Sequence, residues 1–193
     1  GQQGDNPPMN AFTPKERVAA AMRCERPRDV IPVMSQMSNG HMILGTGISP
    51  IEYWLDSEVW AETLLAMRRR YGFDGILVNR SSRSPRLREL VRRADHDCDP
   101  PMVEFEDGAR LACPRDDDSY YLPAEGFEYP SLHELDLDDL HGWAPASYRA
   151  LLNDHGSWPV TDPADIDSTM VRTLKLVLAD AAEQYSVHGE VRS

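Results

Sequence analysis

Apolar residues recur along this chain at two spacings, about every third or fourth position and in short unbroken runs. Their succession predicts helices alternating with short buried strands. The first helical signal is Thr13-Pro14-Lys15-Glu16. Thr can cap a helix, Pro at the first helical position loses no intrahelical hydrogen bond, and Glu three residues on can reach back to the cap. Val18, Ala21 and Met22 follow at helical spacing, so a helix is expected to about Cys24, with Pro27 closing it. Asp29-Val30-Ile31-Pro32-Val33-Met34 then reads as a buried strand, with Pro32 placing it at a sheet edge or a strand start. Residues 35–48, rich in Ser, Gly, Asn and Met, read as the loop that leaves it.

Ser49-Pro50-Ile51-Glu52 repeats the capping pattern and opens a short helix, and Asp56 or Ser57 caps a longer one. Trp60, Leu64, Met67 and Tyr71 form one apolar stripe. Arg68, Arg69 and Arg70 occupy the last turn, where cations suit the helix dipole, and Gly72 supplies the stop. The uninterrupted Ile76-Leu77-Val78 run within residues 73–79 predicts a parallel strand buried on both faces. Strand, helix and strand in that order make a βαβ crossover. A basic helix is expected over residues 85–93, and a hairpin is expected to turn on Asp107-Gly108. Residues 116–143 read as loop, with a helical turn at 131–135. Asp162-Pro163-Ala164-Asp165 precedes a last helix burying Met170, Val171, Leu174, Val177, Leu178, Ala181 and Tyr185, and a further strand starts at Val187.

Charge is distributed unevenly over this pattern. Of 193 residues, 32 are acidic and 20 are Lys or Arg, a formal net charge of −12. Between Asp95 and Asp139, fifteen carboxylates accompany only Arg110 and Arg115, so the remainder of the chain is close to neutral. An acidic insert on a neutral body excludes a non-specific nucleic-acid binder or a binder of anionic membranes, because both need a basic field. It reads either as a solvated excursion or as a docking face for a basic partner. No run approaches the length of apolar residues that spans a bilayer. The polar leader Gly1-Gln2-Gln3-Gly4-Asp5-Asn6-Pro7-Pro8 has no apolar signal segment. Three cysteines, Cys24, Cys98 and Cys113, make no disulfide framework, and a reducing cytoplasm is expected.

Two stretches together resemble a known family. Thr13-Pro14-Lys15-Glu16-Arg17-Val18, continuing through Glu25-Arg26-Pro27-Arg28-Asp29-Val30-Ile31-Pro32-Val33, is similar to the opening of the uroporphyrinogen decarboxylase superfamily. Gly47-Ile48-Ser49-Pro50-Ile51-Glu52-Tyr53-Trp54, with Tyr71-Gly72-Phe73-Asp74-Gly75-Ile76 after it, resembles that family's second helix and second barrel strand. The resemblance implies an α/β fold: the N-terminal portion of a (β/α)8 TIM barrel, here with an inserted acidic β-hairpin. Residues 1–12 would be a tail or leader and 13–94 the first βα units. Residues 95–145 would be the insert, and 146–193 a helix and the next barrel strand. A complete barrel takes about 250 residues. Some three barrel strands are countable here, so a homodimer or a complementary C-terminal half is expected to cover the open edge.

The superfamily holds both a decarboxylase and corrinoid-dependent methyltransferases. The decarboxylase motif places an Arg-rich loop after the first strand and an Asp beyond the second. This chain has Met34-Ser35-Gln36-Met37-Ser38-Asn39-Gly40-His41-Met42 in the first place and Ser81 in the second. Both departures favour the methyltransferase branch, in which a methyl group passes between a small substrate and a corrinoid (cobalamin) on a carrier protein. Zinc activates the substrate in that branch, with ligands expected outside this chain. The alternatives are a decarboxylase-type lyase and a non-catalytic half-barrel binding module with the acidic insert as its docking face.

Candidate chemistry follows barrel logic, in which catalytic groups gather where strands end. His41 lies in the loop after the first strand, where its imidazole would bind metal or move protons, or serve only the structure. Asn79 is a further catalytic candidate; His188 and Glu190, which alternate with Val187 and Val191, have either a catalytic or a core-network role. Asn39, Arg80 and Ser81 are substrate-binding candidates; the Arg80 guanidinium would grip a carboxylate or phosphate in two-point fashion, or else serve as a plain surface cation. His96-Asp97-Cys98 with Cys113 has a metal-like form but lies off the barrel, and no metal ligand is assigned. Arg83, Arg86, Arg88, Arg92 and Arg93 read as a solvated helix face, and Met34, Met37 and Met42 as core filler or pocket lining.

Overall fold

The computed structural model describes residues 12–26, 30–80, 82–136, 138–139, 142–152, 171–182 and 184–189. Helix α1 (Pro14–Met22) starts as its sequence requires. Thr13 Oγ1 accepts from the Glu16 backbone N–H at 3.2 Å, and a Glu16 carboxylate oxygen accepts from the Thr13 N–H at 2.8 Å. After α1 residues 30–38 form neither helix nor ladder, which corrects the expected first strand. Pro32 has no N–H to offer, and the Val33 N–H goes to the Asp74 carboxylate at 2.8 Å instead of a strand. The Val33 carbonyl accepts from the Asp74 N–H at 2.8 Å. Ile31 is left 84% exposed and Val30 57%.

The expected loop at 35–48 contains a helix, α2 (Asn39–Thr46). Ser38 caps its start, accepting from the His41 N–H at 3.4 Å, and Gly47 ends it in the left-handed region. Burial of Met42 and Ile43 holds this otherwise poor helix sequence in place. Short α3 (Pro50–Leu55) and long α4 (Ser57–Tyr71) follow at the expected caps, and Asp56 accepts from the N–H groups of Glu58 and Val59. Trp60, Leu64 and Met67 of the stripe are buried, whereas Tyr71 at its end is exposed.

Strand β1 (Gly75–Val78) pairs in parallel with the last strand, β6 (Ser186–Gly189). The register sets Gly75 beside Ser186, Ile76 beside Val187, Leu77 beside His188 and Val78 beside Gly189. Between them lies a long excursion. The expected basic helix divides: α5 (Pro85–Glu89) stops after five residues, and Val91 begins β2 (Val91–Asp95). So short a helix gains little from propagation, and β3 (Met102–Phe105) offers Arg92 a cross-strand Glu104 at 3.3 Å. Strands β2, β3, β4 (Arg110–Ala112) and β5 (Tyr120–Leu122) make a second, antiparallel sheet in that order. The β3–β4 hairpin turns where expected but with a three-residue connection. Gly108 N–H bonds the Phe105 carbonyl at 3.0 Å and Phe105 N–H the Ala109 carbonyl at 2.9 Å, with Gly108 at φ +81°.

The acidic segment after β5 is irregular but anchored. A train of rings, Phe127, Tyr129, Trp143, Tyr148 and Tyr121, runs across it with centroids 4.9 to 5.9 Å apart from one ring to the next. Tyr148 lies on α6 (Ala146–Leu152), whose first turn is met by the hairpin: the Asp107 carboxylate accepts from the Ser147 N–H at 2.9 Å. Helix α7 (Arg172–Ala181) buries Thr173, Val177 and Ala181, packs on α4 and leads into β6. Leu178, expected inside, is half exposed. Met170 and the residues around Asp162 lie outside the described residues.

Two sheets therefore share one apolar interior. The side chains of Ile76 and Val78, with those of α4 and α7, join Val103, Phe105 and Leu111 of the antiparallel sheet. Among the described residues no helix is long and apolar enough to cross a membrane.

Candidate functional site

Side chains alternate across a strand, so the parallel pair has two unlike faces. Ile76, Val78 and Val187 pack into the apolar interior. Leu77 and its neighbour His188 take the other face, and both are only half buried. Gly75 and Ser186 form the row before them, and Asn79 follows the strand on the same alternation. Beside this edge is a narrow cavity with room for about one water molecule, lined by Asn79, Leu77, Arg68, Met37 and Met42 among others. Helix α1 seals the opposite end of the pair, because Lys15 N–H bonds the Gln184 carbonyl at 3.2 Å and Arg17 binds Asp74.

Several residues chosen from sequence do not join this face. His41 belongs to the first turn of α2 rather than to a loop at a strand end. Its ring stacks on Tyr71 (centroids 5.8 Å apart), and its Nε2 lies 2.9 Å from the Tyr71 hydroxyl. Tyr71 stacks in turn on Phe73, which precedes β1, so His41 belongs with the start of that strand while Asn79 follows its end. Asn39 is committed to structure: its amide N–H donates to Asp118 at 2.7 Å and its carbonyl accepts from the Tyr53 hydroxyl at 2.5 Å. Burial of Tyr53 pushes its hydroxyl pKa up to about 12. Arg80 donates to the Leu151 carbonyl at 3.2 Å, which ties β1 to the end of α6. Ser81 and Glu190 lie outside the described residues.

Arg83 departs furthest from the position its sequence context predicts. It is not on a solvated face: it is 5% exposed, under Trp60, Trp54 and Tyr53 with its guanidinium carbon 4.0, 4.8 and 5.4 Å from the three ring centroids. Arg86, Arg88, Arg92 and Arg93 are exposed as expected. The Arg83 backbone N–H donates to Ser57 Oγ at 2.8 Å, and the Ser57 carbonyl accepts from Thr173 Oγ1 at 3.0 Å. The loop after β1 is thereby tied to the start of α4 and of α7. An open cleft of about 550 Å³ lies at this junction. Its rim cations are each met by carboxylates, Arg88 by Glu52 and Asp56 and Arg172 by Glu58. Three tryptophan or tyrosine rings at positions 53, 54 and 60 ahead of an Arg-bearing loop were the only sequence signal for this arrangement.

Cys98 is exposed and its N–H and thiol bond around Asp95 and Pro100, whereas Cys113 is buried and burial raises its thiol pKa to about 12. Among the described residues no three His, Cys, Asp or Glu side chains converge as a metal site. No family model, curated protein or solved structure matches the chain. The candidate site is the half-open face carrying Leu77 and His188, with Asn79 at its rim.

Proposed function

We propose that this chain is the N-terminal portion of a (β/α)8 enzyme of the uroporphyrinogen decarboxylase superfamily, passing a methyl group between a small substrate and a corrinoid carrier protein. The observation that carries this reading is the division of the parallel pair. One face of β1 and β6 is apolar and covered by helices, and the other presents His188 beside Leu77, as the inward face of a barrel strand does. Helix α1 across the strand starts supports this reading, as does long α4 directly before β1. Val30, Ile31 and Val33 form an exposed apolar strip beside β1, which favours a covering polypeptide, either a second copy or a complementary half.

In this reading His188 moves a proton at the reacting group through an imidazole nitrogen, and the Asn79 amide orients the substrate by hydrogen bonds. A bound corrinoid supplies the cobalt centre that takes or gives the methyl group. The described residues do not fit a zinc site, and no step is assigned to a metal held by this chain. The test is reconstitution of the assembled enzyme with its carrier, following the optical change of the corrinoid and methyl transfer. His188→Ala is expected to lower kcat by about a hundredfold. An unchanged rate in that variant, or no corrinoid response from the assembly, rejects the proposal. Decarboxylation of a porphyrinogen by the same assembly would transfer the case to the lyase branch.

A further inference from the structure

The antiparallel sheet ends in two unlike edges. At β2 the edge carries Arg92 and Arg93, and its register shifts between Val91 and Arg93. Charge and a bulge on an outer strand are the usual protections against pairing with another chain. At β5 neither charge nor a bulge is present, and only its three-residue length and Pro123 just after it limit pairing. Tyr120, Tyr121 and Leu122 pair with β4 in unbroken register and contain no charge and no proline. Among the described residues no backbone group bonds β5 from its other side.

The surroundings of that edge specify its occupant. Asp116, Asp117 and Asp118 lead into β5, Glu125 and Glu128 follow it, and among the described residues none of the five forms an ion pair. Tyr120 is 47% exposed, and Tyr129, 62% exposed, extends the ring train that reaches Tyr121. An added strand would therefore gain backbone hydrogen bonds and aromatic contact along its middle and meet carboxylates at both ends. A second copy of this chain is disfavoured, since pairing β5 with β5 brings two acidic flanks together. We infer that the β5 edge takes an extended lysine- or arginine-bearing segment of a partner protein as a fifth strand of the sheet. This surface is separate from the Leu77–His188 face, so it stands or falls independently of the reaction.

The test uses the full chain and a short labelled peptide alternating lysine with valine, with its glutamate–valine counterpart as control, followed by fluorescence anisotropy. The lysine peptide is expected to bind, more weakly as salt rises, and to slow hydrogen exchange at the amides of β5. Replacing Asp116, Asp117 and Glu125 by Asn, Asn and Gln, all exposed, should weaken it about tenfold. Asp118 is left in place because it holds Asn39. Methylation of alternate peptide backbone nitrogens should abolish binding while leaving charge intact. Equal binding of both peptides, unchanged exchange in β5, or self-association of the protein that Tyr120→Lys disrupts without any peptide affinity would each overturn the inference.

Discussion

The Arg17 guanidinium reaches the Asp74 carboxylate twice, at 2.6 and 2.8 Å, and the same carboxylate accepts the Val33 N–H at 2.8 Å. Through this pair and the Asp74 backbone, whose carbonyl accepts from the Ser186 N–H at 3.1 Å, helix α1, the 30–38 segment, β1 and β6 meet at one residue. Both side chains are largely shielded from water, at 16% and 7% exposure, so removing either one breaks a shielded ion pair. Arg17→Met should destabilise the fold by about 3 kcal/mol, and Asp74→Asn by a similar amount. Urea unfolding of both single variants and the double variant checks this. Strict additivity would show that the two residues act separately.

Arg83 beneath Tyr53, Trp54 and Trp60 predicts a penalty for losing the flat guanidinium as well as the charge. Arg83→Met should cost about 2 kcal/mol, and Arg83→Lys should recover less than half of that. Tryptophan fluorescence during urea unfolding reports both the midpoint and the ring environment. A lysine variant as stable as the parent would refute the stacking account.

Gly40 lies in the first turn of α2, where alanine would ordinarily favour the helix. Here a Cβ would fall 2.1 Å from the Asp116 carbonyl carbon and oxygen. Backbone cannot yield as a flexible side chain does, so Gly40→Ala should destabilise the protein by about 2 kcal/mol or more. It should also break the Asn39–Asp118 bond, visible as faster hydrogen exchange around residues 116–118. A stabilised Gly40→Ala protein would show that α2 does not press on this segment.

Tyr53 predicts a loss of stability in alkali. Its pKa is raised from 10.0 to about 12, first by burial, so the folded state retains the proton that the unfolded chain has already released. The contribution is complete below pH 10 and disappears as pH rises toward 12. Denaturation midpoints measured across that window should fall with pH, and less steeply in Tyr53→Phe. Equal slopes in the two proteins would assign the alkaline loss to other tyrosines.

Most helices were legible because their signals are local. Thr13, Ser49 and Asp56 cap in a way that needs no distant partner, and the Trp60–Leu64–Met67 stripe fixes which side of α4 is buried. Strand β1 and the turn at Asp107-Gly108 were legible for the same reason. What sequence alone could not decide were outcomes set by contacts far along the chain. Residues 30–34 carry a strand's composition but lose their ladder to one carboxylate at Asp74. Val91 leaves a helical pattern because β3 stands opposite. His41 and Asn39 look like site residues until Tyr71, Tyr53 and Asp118 arrive beside them. Arg83 looks like surface until three rings close over it. Caps and periodicity act within one or two turns, so they can be read along a line of residues. Strand pairing and the burial of a charge depend on partners tens of residues away, and only the folded chain brings those together.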